Sequence, residues 1–463
     1  MLLALLPGCI GRCHALRSVV QRMSSAMLRP PTGLPYWNVS ARRSPVSAVH
    51  LSGDITCDVA IIGAGFTGLS AADHLISADR EIAVLEAGDV AEGASGRTAG
   101  MVGTRYKLGW AALARTYGPD QARRLHALMC HAHARLHELL ERYGASDCFD
   151  QRGQLIPAHH RAPLKELQGD AKWLASEVGD DAPTLLDAEQ FARVGGTSGY
   201  AGAWFDPRGG GLQPVDYCRA LAHGLLDRGV RMFTRSRVMT LEETDDAVFL
   251  TTRNGLVRAR HVILATNAYT PPALVEPDLT QRLVPISASM VVTEPLSASV
   301  ARTILPDGQV ASDTRRLLHA FRMLPGDRLL FAGRADITGR RAHEPDSYLP
   351  LERALTCTFP QAAGAPIAYR WSGLVGISRD GFPHVGRIGR RVSYAMGYSG
   401  RGVALAQLLG LFAAKLALDQ PIDAGVMDER SFLSWPARRL RIPVMQLMTW
   451  LYGHLDQREF ARA

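Results

Sequence analysis

The feature that most constrains this chain is an apolar strand that runs directly into a glycine turn and then into a helix. Residues 59–62 are Val-Ala-Ile-Ile, and Gly63, Gly65 and Gly68 follow at the spacing G-x-G-x-x-G. The first glycine permits a tight turn, the second lets the backbone approach a pyrophosphate, and the third lets helix and strand pack closely. A second apolar strand ends at Glu86, where a carboxylate can accept hydrogen bonds from a ribose. The segment therefore predicts a βαβ unit that binds a dinucleotide; a glycine-rich turn of an unrelated α/β unit is the alternative.

Composition and charge exclude several other classes of protein. The chain of 463 residues is long enough for two or three domains, and no apolar run reaches the length of a membrane span. The net charge of +8 is spread along the chain without a basic stripe, so we expect no nucleic-acid partner. Seven cysteines without a C-x-x-C pair favour neither a zinc site nor a disulfide framework. His133 and His137 lie one helical turn apart, but no carboxylate cluster accompanies them, so we predict no metal site.

The N-terminal extension has an unusual charge pattern. The first 53 residues contain no Asp or Glu, but several arginines and serines. This composition is typical of a mitochondrial transit peptide. We favour the other interpretation, a start codon assigned too early, with Met23 or Met27 as the true first residue. The prediction is a cytoplasmic protein with a disordered or targeting extension over residues 1–35; a mitochondrial location is the alternative.

Two later segments place small residues at the ends of apolar strands. One strand leads into Ala265, Thr266 and Asn267, and another leads into a turn from Gly397 to Gly402 that opens a long apolar helix. A nicotinamide cofactor has no evident use for this late helix N-terminus. A flavin does, because the helix macrodipole and the free N–H groups stabilise the negative charge that develops on the reduced ring. Together with the first glycine turn these segments indicate FAD, and a tight β–α connection is the alternative for the late turn.

These motifs resemble those of a known family. The turn at 63–68, the loop at 93–97, the strand end at 265–268 and the turn at 397–403 are similar to motifs of the D-amino-acid-oxidase/glycine-oxidase family of FAD-dependent amine oxidoreductases. The likeness extends over residues 36–455. The motifs that contact FAD are specific to that family, whereas those that concern the substrate are much less so.

The resemblance implies an α/β fold in which a Rossmann-type FAD-binding domain is interleaved with an α+β substrate domain. The substrate domain is expected to rest on a mixed, largely antiparallel sheet. A C-terminal tail is expected to pack on the body of the protein, with an interfacial helix at a membrane as the alternative. The predicted FAD-binding domain takes residues 54–105, 208–282 and 366–425, the substrate domain takes 106–207 and 283–365, and the tail takes 426–463.

FAD is expected to bind without a covalent bond, because no cysteine lies in an evident attachment motif. The resemblance implies that Ser95, Gly96 and Arg97 lie near the pyrophosphate and the ring, and that the backbone of Val238 contacts the adenine. The motifs and the resemblance together predict cofactor contacts from Gly63, Gly65, Phe66, Thr67, Gly68, Glu86, Ala87, Ser95, Gly96, Arg97, Gly100, Val238, Thr266, Asn267, Gly397, Gly400, Arg401, Gly402 and Val403.

The resemblance also implies the oxidation of a C–N bond in a small amine. Hydride passes from the carbon beside a neutral amine to flavin N5, the imine hydrolyses, and O₂ or another acceptor reoxidises the flavin. A gamma-glutamyl amide such as gamma-glutamylputrescine is the first candidate substrate; glycine, sarcosine or a D-amino acid is the alternative. An RNA-modification flavoprotein and a non-catalytic flavin-binding module are alternatives of other classes. The sequence distinguishes neither oxidase from dehydrogenase nor one oligomeric state from another.

The residues that recognise the substrate are harder to identify. No pattern marks an acid or a base, and the reaction needs neither if the amine arrives deprotonated. Members of the family that oxidise amino acids hold the carboxylate with an arginine above the flavin. Arg322 on a predicted strand and Arg379 after a Trp-Ser-Gly sequence are the candidates for this role, and His319 is a further candidate lining residue. A structural ion pair is the alternative for each arginine.

Overall fold

The structure is a computed structural model that describes most of the chain. Residues 1–32 fall outside the description, so both interpretations of the N-terminal extension stay predictions. Among the described helices, none combines the length and the apolar character needed to cross a membrane. The described residues are 33–47, 49–271, 274, 278–435 and 441–460.

The described strands form two eight-stranded sheets and one three-stranded sheet. In chain order they are β1 (Ile55–Ile62), β2 (Ile82–Leu85), β3 (Met101–Val102), β4 (Phe149–Asp150), β5 (Gln154–Ala158), β6 (Thr184–Asp187), β7 (Gly202–Asp206), β8 (Gly210–Leu212), β9 (Arg231–Phe233), β10 (Thr240–Glu243), β11 (Val248–Thr251), β12 (Leu256–Leu264), β13 (Val284–Thr293), β14 (Val310–Ser312), β15 (Ala320–Leu324), β16 (Arg328–Gly333), β17 (Ile367–Ile377), β18 (His384–Ile388) and β19 (Val392–Met396).

The α-helices of the described residues lie mainly on the two large sheets. In chain order they are α1 (Tyr36–Ser40), α2 (Phe66–Ile76), α3 (Trp110–Tyr117), α4 (Pro119–Arg142), α5 (Arg161–Val178), α6 (Ala188–Gly195), α7 (Pro214–Asp227), α8 (Asp278–Arg282), α9 (Ala298–Ala301), α10 (Leu349–Thr358), α11 (Gly402–Ala417) and α12 (Arg441–Phe460).

The first sheet carries the glycine turn at the end of its central strand. Its order is β10-β11-β12-β1-β2-β9, with β19 parallel to β12 and β18 antiparallel to β19. Strand β1 is parallel to both of its neighbours. A parallel strand covered by helices is buried on both faces, which explains the unbroken apolar run from Val59 to Ile62, all of it buried. The arrangement confirms the predicted Rossmann-type fold.

The early and late parts of the chain meet on this sheet through α2 and α11, which pack against each other. A Cβ on Gly410 of α11 would overlap the carbonyl oxygen of Thr67 in α2, so the absence of a side chain there permits the close approach. The Ser70 hydroxyl of α2 donates a hydrogen bond to the carbonyl oxygen of Gln407, 2.6 Å away. The helix that follows the late glycine turn is thereby fixed beside the helix that follows the first one.

The second sheet has the order β17-β13-β16-β15-β14-β5-β7-β6. The pairing of β14 with β5 is parallel, and the other pairings are antiparallel. This confirms the prediction of a mixed, largely antiparallel sheet. Its central strands are buried on both faces, and Phe321, Phe331 and Phe359 pack together in the core.

Two elements make contacts outside their predicted domain ranges. We predicted that residues 366–425 belong to the FAD-binding domain, but β17 pairs with β13 of the second sheet over ten residue pairs. Residues 106–207 were assigned to the substrate domain, yet α4 within them packs on α11 beside the first sheet. Hydrophobic periodicity identifies strands and helices, but it does not reveal which of two sheets an element joins.

Candidate cofactor and substrate site

A cavity of about 780 Å³ extends from the glycine turn of the first sheet to the inner face of the second. This volume is within the usual range for ligand pockets. At one end lie Gly63 and Glu86, and at the other lie Ala288, Ala332 and Arg334. The cavity therefore connects the predicted nucleotide-binding edge with the predicted substrate sheet.

The first glycine turn is shaped for close approach by a ligand. Gly63 has a φ of +110°, which other residues rarely adopt, and it follows β1 directly. A Cβ on Gly65 would lie 2.6 Å from the hydroxyl of Ser95. A Cβ on Gly68 would overlap the carbonyl oxygen of Gly63, so α2 can start against the strand end only because Gly68 has no side chain. The turn at Gly63 and the close packing at Gly68 have the geometry that the sequence predicts, and the role of Gly65 at a pyrophosphate stays a prediction.

Glu86 lies at the end of β2 with its carboxylate held by backbone. One oxygen accepts from the N–H of Ala64 at 2.8 Å, and the other accepts from the N–H of Gly88 at 2.9 Å. Burial raises the pKa of Glu86, although these hydrogen bonds oppose the shift. Each carboxylate oxygen has a further lone pair, so the fixed carboxylate can still accept from a ribose hydroxyl.

Asn267 joins the strand end after β12 to the late turn after β19. Its Oδ1 accepts a hydrogen bond from the N–H of Gly397 at 2.9 Å, although 130 residues separate them. Asn267 also has a φ of +45°, a left-handed conformation that asparagine tolerates better than most residues. The side chain lines the cavity and so sets the distance between two of its walls.

Replacing Asn267 by alanine is expected to lower the free energy of unfolding by about 1–3 kcal/mol and to increase the loss of FAD on dilution. The Gly397 N–H would lose its partner, and alanine tolerates a positive φ poorly. Chemical denaturation and the flavin-to-protein absorbance ratio measure the two effects. Asn38→Ala on the exposed face of α1 is the matched control. If Asn267→Gly restored full stability, backbone strain alone would account for the loss, and the hydrogen bond would contribute nothing.

The late turn presents the N-terminus of α11 to the cavity. Gly400 has a φ of +89°, and a Cβ added there would meet no atom within 4 Å. No side chain of the described residues caps the first turn of α11. Gly400, Gly402 and Val403 line the cavity, so a flat ring system can lie against backbone here, with the positive end of the helix dipole at its edge.

Most of the predicted cofactor residues line this cavity. Four do not, and they act through backbone shape: Gly68 and Gly96 leave room for nearby carbonyl oxygens, Gly100 accepts a hydrogen bond through its own carbonyl, and Gly397 donates to Asn267. The predicted residues that line the cavity are Gly63, Gly65, Phe66, Thr67, Glu86, Ala87, Ser95, Arg97, Val238, Thr266, Asn267, Gly400, Arg401, Gly402 and Val403.

Arg322 does not line the cavity, so its predicted role in substrate recognition is not supported. Its guanidinium Nη1 donates to the carbonyl oxygens of Gly100 at 2.7 Å and Leu212 at 3.2 Å. The guanidinium carbon lies 5.6 Å from the ring centre of Trp37, as in a cation–π contact. Burial lowers the pKa of Arg322 to about 10. The residue connects the second sheet to the glycine-rich segments and is a structural cation.

Arg379 and His319 also lie outside the cavity lining. Arg379 follows the end of β17 and is exposed. The ring of His319 packs 5.1 Å from that of Phe331, and its backbone N–H donates to the carboxylate of Asp313. Burial lowers the pKa of His319, which favours its neutral form. Neither residue is among the described lining residues, whereas Leu318 and Ala320, which flank His319 in the sequence, are.

Arg334 is a charged lining residue that the sequence motifs do not mark. It follows β16 directly, and its Nη1 donates to the carbonyl oxygen of Ser287 at 3.2 Å. Desolvation lowers its pKa to about 10, and no carboxylate of the described residues forms an ion pair with it. Arg401 also lines the cavity, and desolvation together with the charge of Arg105 lowers its pKa to about 10. The sequence does contain one signal for Arg334, since it follows Gly333 at the end of a predicted strand.

With this geometry established, comparison with known proteins identifies the family. The sequence profile of the DAO family, described as FAD dependent oxidoreductase, matches residues 58–416. The chain belongs to this family of FAD-dependent oxidoreductases. The matched range includes both glycine turns, the strand end at 265–267 and Arg334, so it covers the whole cavity.

Individual members of the DAO family show how far the likeness extends. Gamma-glutamylputrescine oxidoreductase of Escherichia coli (strain K12) is 34% identical over 424 residues, which cover 91% of this chain and 98% of that protein. Glycine oxidase of Bacillus licheniformis is 25% identical over 371 residues, which cover 79% and 94% of the two chains. The crystal structure of glycine oxidase from Geobacillus kaustophilus has a TM-score of 0.68 at 20% identity and covers 80% of this chain and 97% of its own. That similarity confirms the fold.

Proposed function

We propose that this protein oxidises the C–N bond of a small amine that also carries a carboxylate, with gamma-glutamylputrescine as the first candidate. The bound flavin supplies the acceptor for the hydride removed from the carbon beside the nitrogen. The resulting imine takes up water to give a carbonyl compound and an amine or ammonia. Two electrons and two protons then pass to O₂, which yields H₂O₂, or to another acceptor.

The observation that carries the proposal is Arg334. Arg334 is partly buried, desolvation lowers its pKa, and no carboxylate of the described residues pairs with it, so a ligand that supplies an anion would stabilise it. Arg334 lies on the part of the cavity lined by the second sheet, away from the glycine turn that suits the pyrophosphate. A carboxylate on the substrate fits it, because a guanidinium binds a carboxylate through two parallel hydrogen bonds. Such a contact fixes one end of the substrate and leaves its amine to reach the ring.

The charges around the cavity also favour the reactive form of the amine. The described lining residues include Glu86 and Glu92 as their only carboxylates, and they include no histidine or lysine. Desolvation lowers the pKa of the partly exposed Lys107, and the positive charges of Arg334 and Arg401 lower it further. The same positive potential disfavours an ammonium group in the cavity and stabilises the neutral amine. No protein base is then required for hydride transfer.

The rate of flavin reduction is therefore expected to rise with pH, along a titration of the bound amine whose pKa lies below that of the free amine. The sign follows from charge: nearby cations destabilise the ammonium form, and only the neutral form reacts. Anaerobic stopped-flow measurement of flavin bleaching across the pH range gives this pKa. A pH-independent rate, or a pKa above that of the free amine, would contradict the proposed role of the cations.

A substrate panel separates the proposed activity from its closest alternative. The panel contains gamma-glutamylputrescine, putrescine, glycine, sarcosine and several D-amino acids, each tested anaerobically for flavin bleaching and aerobically for H₂O₂. The proposal expects the highest kcat/KM for the gamma-glutamyl amine. A preference for glycine or sarcosine would replace it with an amino-acid oxidase, and bound FAD that no amine bleaches would exclude both.

We also propose that FAD binds without a covalent bond. The described residues that line the cavity include neither cysteine nor histidine, the side chains that attach flavins most readily. Acid precipitation of the purified protein is expected to release all of the yellow colour into the supernatant. Colour that stays with the pellet would show a covalent link.

A cytoplasmic location is part of the same proposal. Cys57, Cys148 and Cys218 are buried free thiols. Free thiols of this kind persist in a reducing compartment. Imaging of the tagged full-length chain in its own cells tests the location and separates the cytoplasm from mitochondria.

A further inference from the structure

Three side chains with metal-binding groups meet where the last helix, α12, lies against the body of the protein. His159 and His160 follow β5 and precede α5, and Glu459 lies near the end of α12. The Nε2 atom of His159 is 3.4 Å from Oε2 of Glu459, and that of His160 is 3.3 Å from the same oxygen. These three residues are not among the described residues that line the cavity, so the group lies outside the flavin and substrate site.

The spacing of the three ligand atoms matches the spacing of ligands around a zinc ion. Zn²⁺ takes imidazole nitrogen and carboxylate oxygen ligands in a tetrahedron, at about 2.0–2.1 Å from the metal. Two corners of such a tetrahedron are about 3.3–3.4 Å apart. Both distances from the Glu459 oxygen to the imidazoles have this length, and all three atoms lie within 4.8 Å of one another. A single ion can therefore contact all three.

The hydrogen bonds of His159 leave a lone pair on the nitrogen that faces Glu459. The Thr314 hydroxyl donates to the carbonyl oxygen of Pro157 at 3.4 Å and accepts from the backbone N–H of His159 at 3.1 Å. Its remaining lone pair is 2.8 Å from Nδ1 of His159, so Nδ1 carries the proton of the neutral ring. Burial lowers the pKa of His159, which favours that neutral ring. Nε2 and the carboxylate are then two acceptors that face each other, and a cation between them stabilises both.

His160 can become a ligand by exchanging one hydrogen bond. Its Nδ1 accepts from the N–H of Ala162 at 3.2 Å, at the start of α5. The neutral ring then carries its proton on Nε2 and donates to Glu459. A metal bound at Nε2 moves that proton to Nδ1, and the N–H of Ala162, which is exposed, bonds to water instead. The exchange changes only the tautomer of the ring.

Arg316 holds the carboxylate of Glu459 in place. Its Nη1 and Nη2 donate to Oε2 and Oε1 of Glu459 at 2.6 and 2.9 Å, and Nη1 also donates to the buried Asp456 at 2.9 Å. These contacts agree with the expected packing of the tail on the body of the protein. Each oxygen of Glu459 keeps a further lone pair, so Oε2 can bind a metal while Arg316 orients the carboxylate from outside. The nearby guanidinium also makes this site weaker than a zinc site with four protein ligands.

We propose that His159, His160 and Glu459 bind a zinc ion, which joins α12 to the segment between β5 and α5. Water takes the fourth position around the ion. This revises the expectation of no metal site, which rested on the spacing of His133 and His137. Two adjacent histidines and a glutamate 300 residues after the first of them form no pattern that a sequence reveals.

Isothermal titration calorimetry with zinc chloride tests the site on the full-length, FAD-loaded protein, treated with a chelator beforehand and carrying no histidine tag. We expect one tightly bound Zn²⁺ per chain, much weaker binding of Mg²⁺, which prefers oxygen ligands, and a higher melting temperature with zinc. His160→Gln and Glu459→Gln should abolish the tight binding. Thr314→Val should weaken it by about 10- to 100-fold, because His159 loses the partner that orients its ring.

His343→Gln is the matched control, because the His343 side chain is 78% exposed and its Nε2 lies 4.0 Å from a carboxylate oxygen of Glu344. This variant should bind zinc like the parent protein. X-ray absorption at the zinc edge should show nitrogen and oxygen ligands at about 2.0–2.1 Å, with scattering from imidazole. Sulfur ligands would overturn the proposal, since a cysteine would then hold the zinc. So would the absence of tight binding by the parent protein, or equal binding by the parent protein and His160→Gln.

Discussion

Replacing Gly68 by alanine is expected to produce a protein that retains no FAD and unfolds with a free energy lower by about 3 kcal/mol or more. The new Cβ would overlap the carbonyl oxygen of Gly63 and would also approach the Ile61 side chain at 3.2 Å. Strand β1 and helix α2 would have to separate, and the turn between them is the predicted pyrophosphate site. The flavin-to-protein absorbance ratio and urea denaturation measure the two effects.

Gly169 provides the control for this substitution, because it also lies within a helix. A Cβ on Gly169 would meet only the Cβ of Ala111, at an ordinary contact distance of 3.9 Å. Gly169→Ala should therefore be neutral or slightly stabilising, since alanine favours the helix more than glycine does. If Gly68→Ala behaved like Gly169→Ala, the packing of α2 against β1 would not have the importance given to it here.

Replacing Arg334 by methionine is expected to lower kcat/KM for a carboxylated amine by about 30- to 1,000-fold, which corresponds to about 2–4 kcal/mol. Methionine fills a similar volume but removes the charge that binds the carboxylate. Retention of FAD should not change, because Arg334 lies on the second sheet and not at the glycine turn. Steady-state kinetics with gamma-glutamylputrescine measures the loss, and Arg334→Lys should recover only part of it because lysine cannot form the two-pronged contact.

Two comparisons separate this effect from a general loss of activity. A diamine without a carboxylate, such as putrescine, should lose far less activity in Arg334→Met than the carboxylated amine. Arg340→Met removes an exposed arginine six residues further along the chain and should leave both substrates unaffected. A similar loss for amines with and without a carboxylate would show that Arg334 does not bind the carboxylate.

The cofactor end of the site could be predicted from the sequence because its determinants are local. Gly63, Gly65 and Gly68 act within one strand–turn–helix unit, and the turn that contains Gly400 acts within another. A backbone that must bend sharply or lie against a ligand requires glycine, and this requirement is visible in a single sequence. The carboxylate of Glu86 follows the same logic, since its distance from the turn is set by the length of one βαβ unit.

The arginine that lines the cavity beside the second sheet could not be predicted, because this depends on how far the cavity extends along that sheet. Arg322 lies two residues after Ala320, so alternation along β15 correctly places both on the same face. The cavity lining does not extend to Arg322, however. Its guanidinium instead donates to the backbone carbonyl oxygens of Gly100 and Leu212. Arg334 lies just beyond its strand, where alternation no longer applies. The tertiary arrangement of the two sheets, which no local pattern encodes, determines which arginine lines the cavity.

The hydrogen bond between Asn267 and Gly397 has a consequence for the synthesis of the protein. Strand β12 lies between β1 and β19, and α2 packs on α11, so the first βαβ unit gains its last neighbours only after residue 417 has been translated. Contacts between such distant parts of the chain form slowly, because a long loop must close before they stabilise anything. On the ribosome, the turn at residues 63–68 is therefore synthesised long before the elements that complete the cavity. We therefore expect FAD to bind after the finished chain has been released, and not when the first glycine turn emerges from the ribosome.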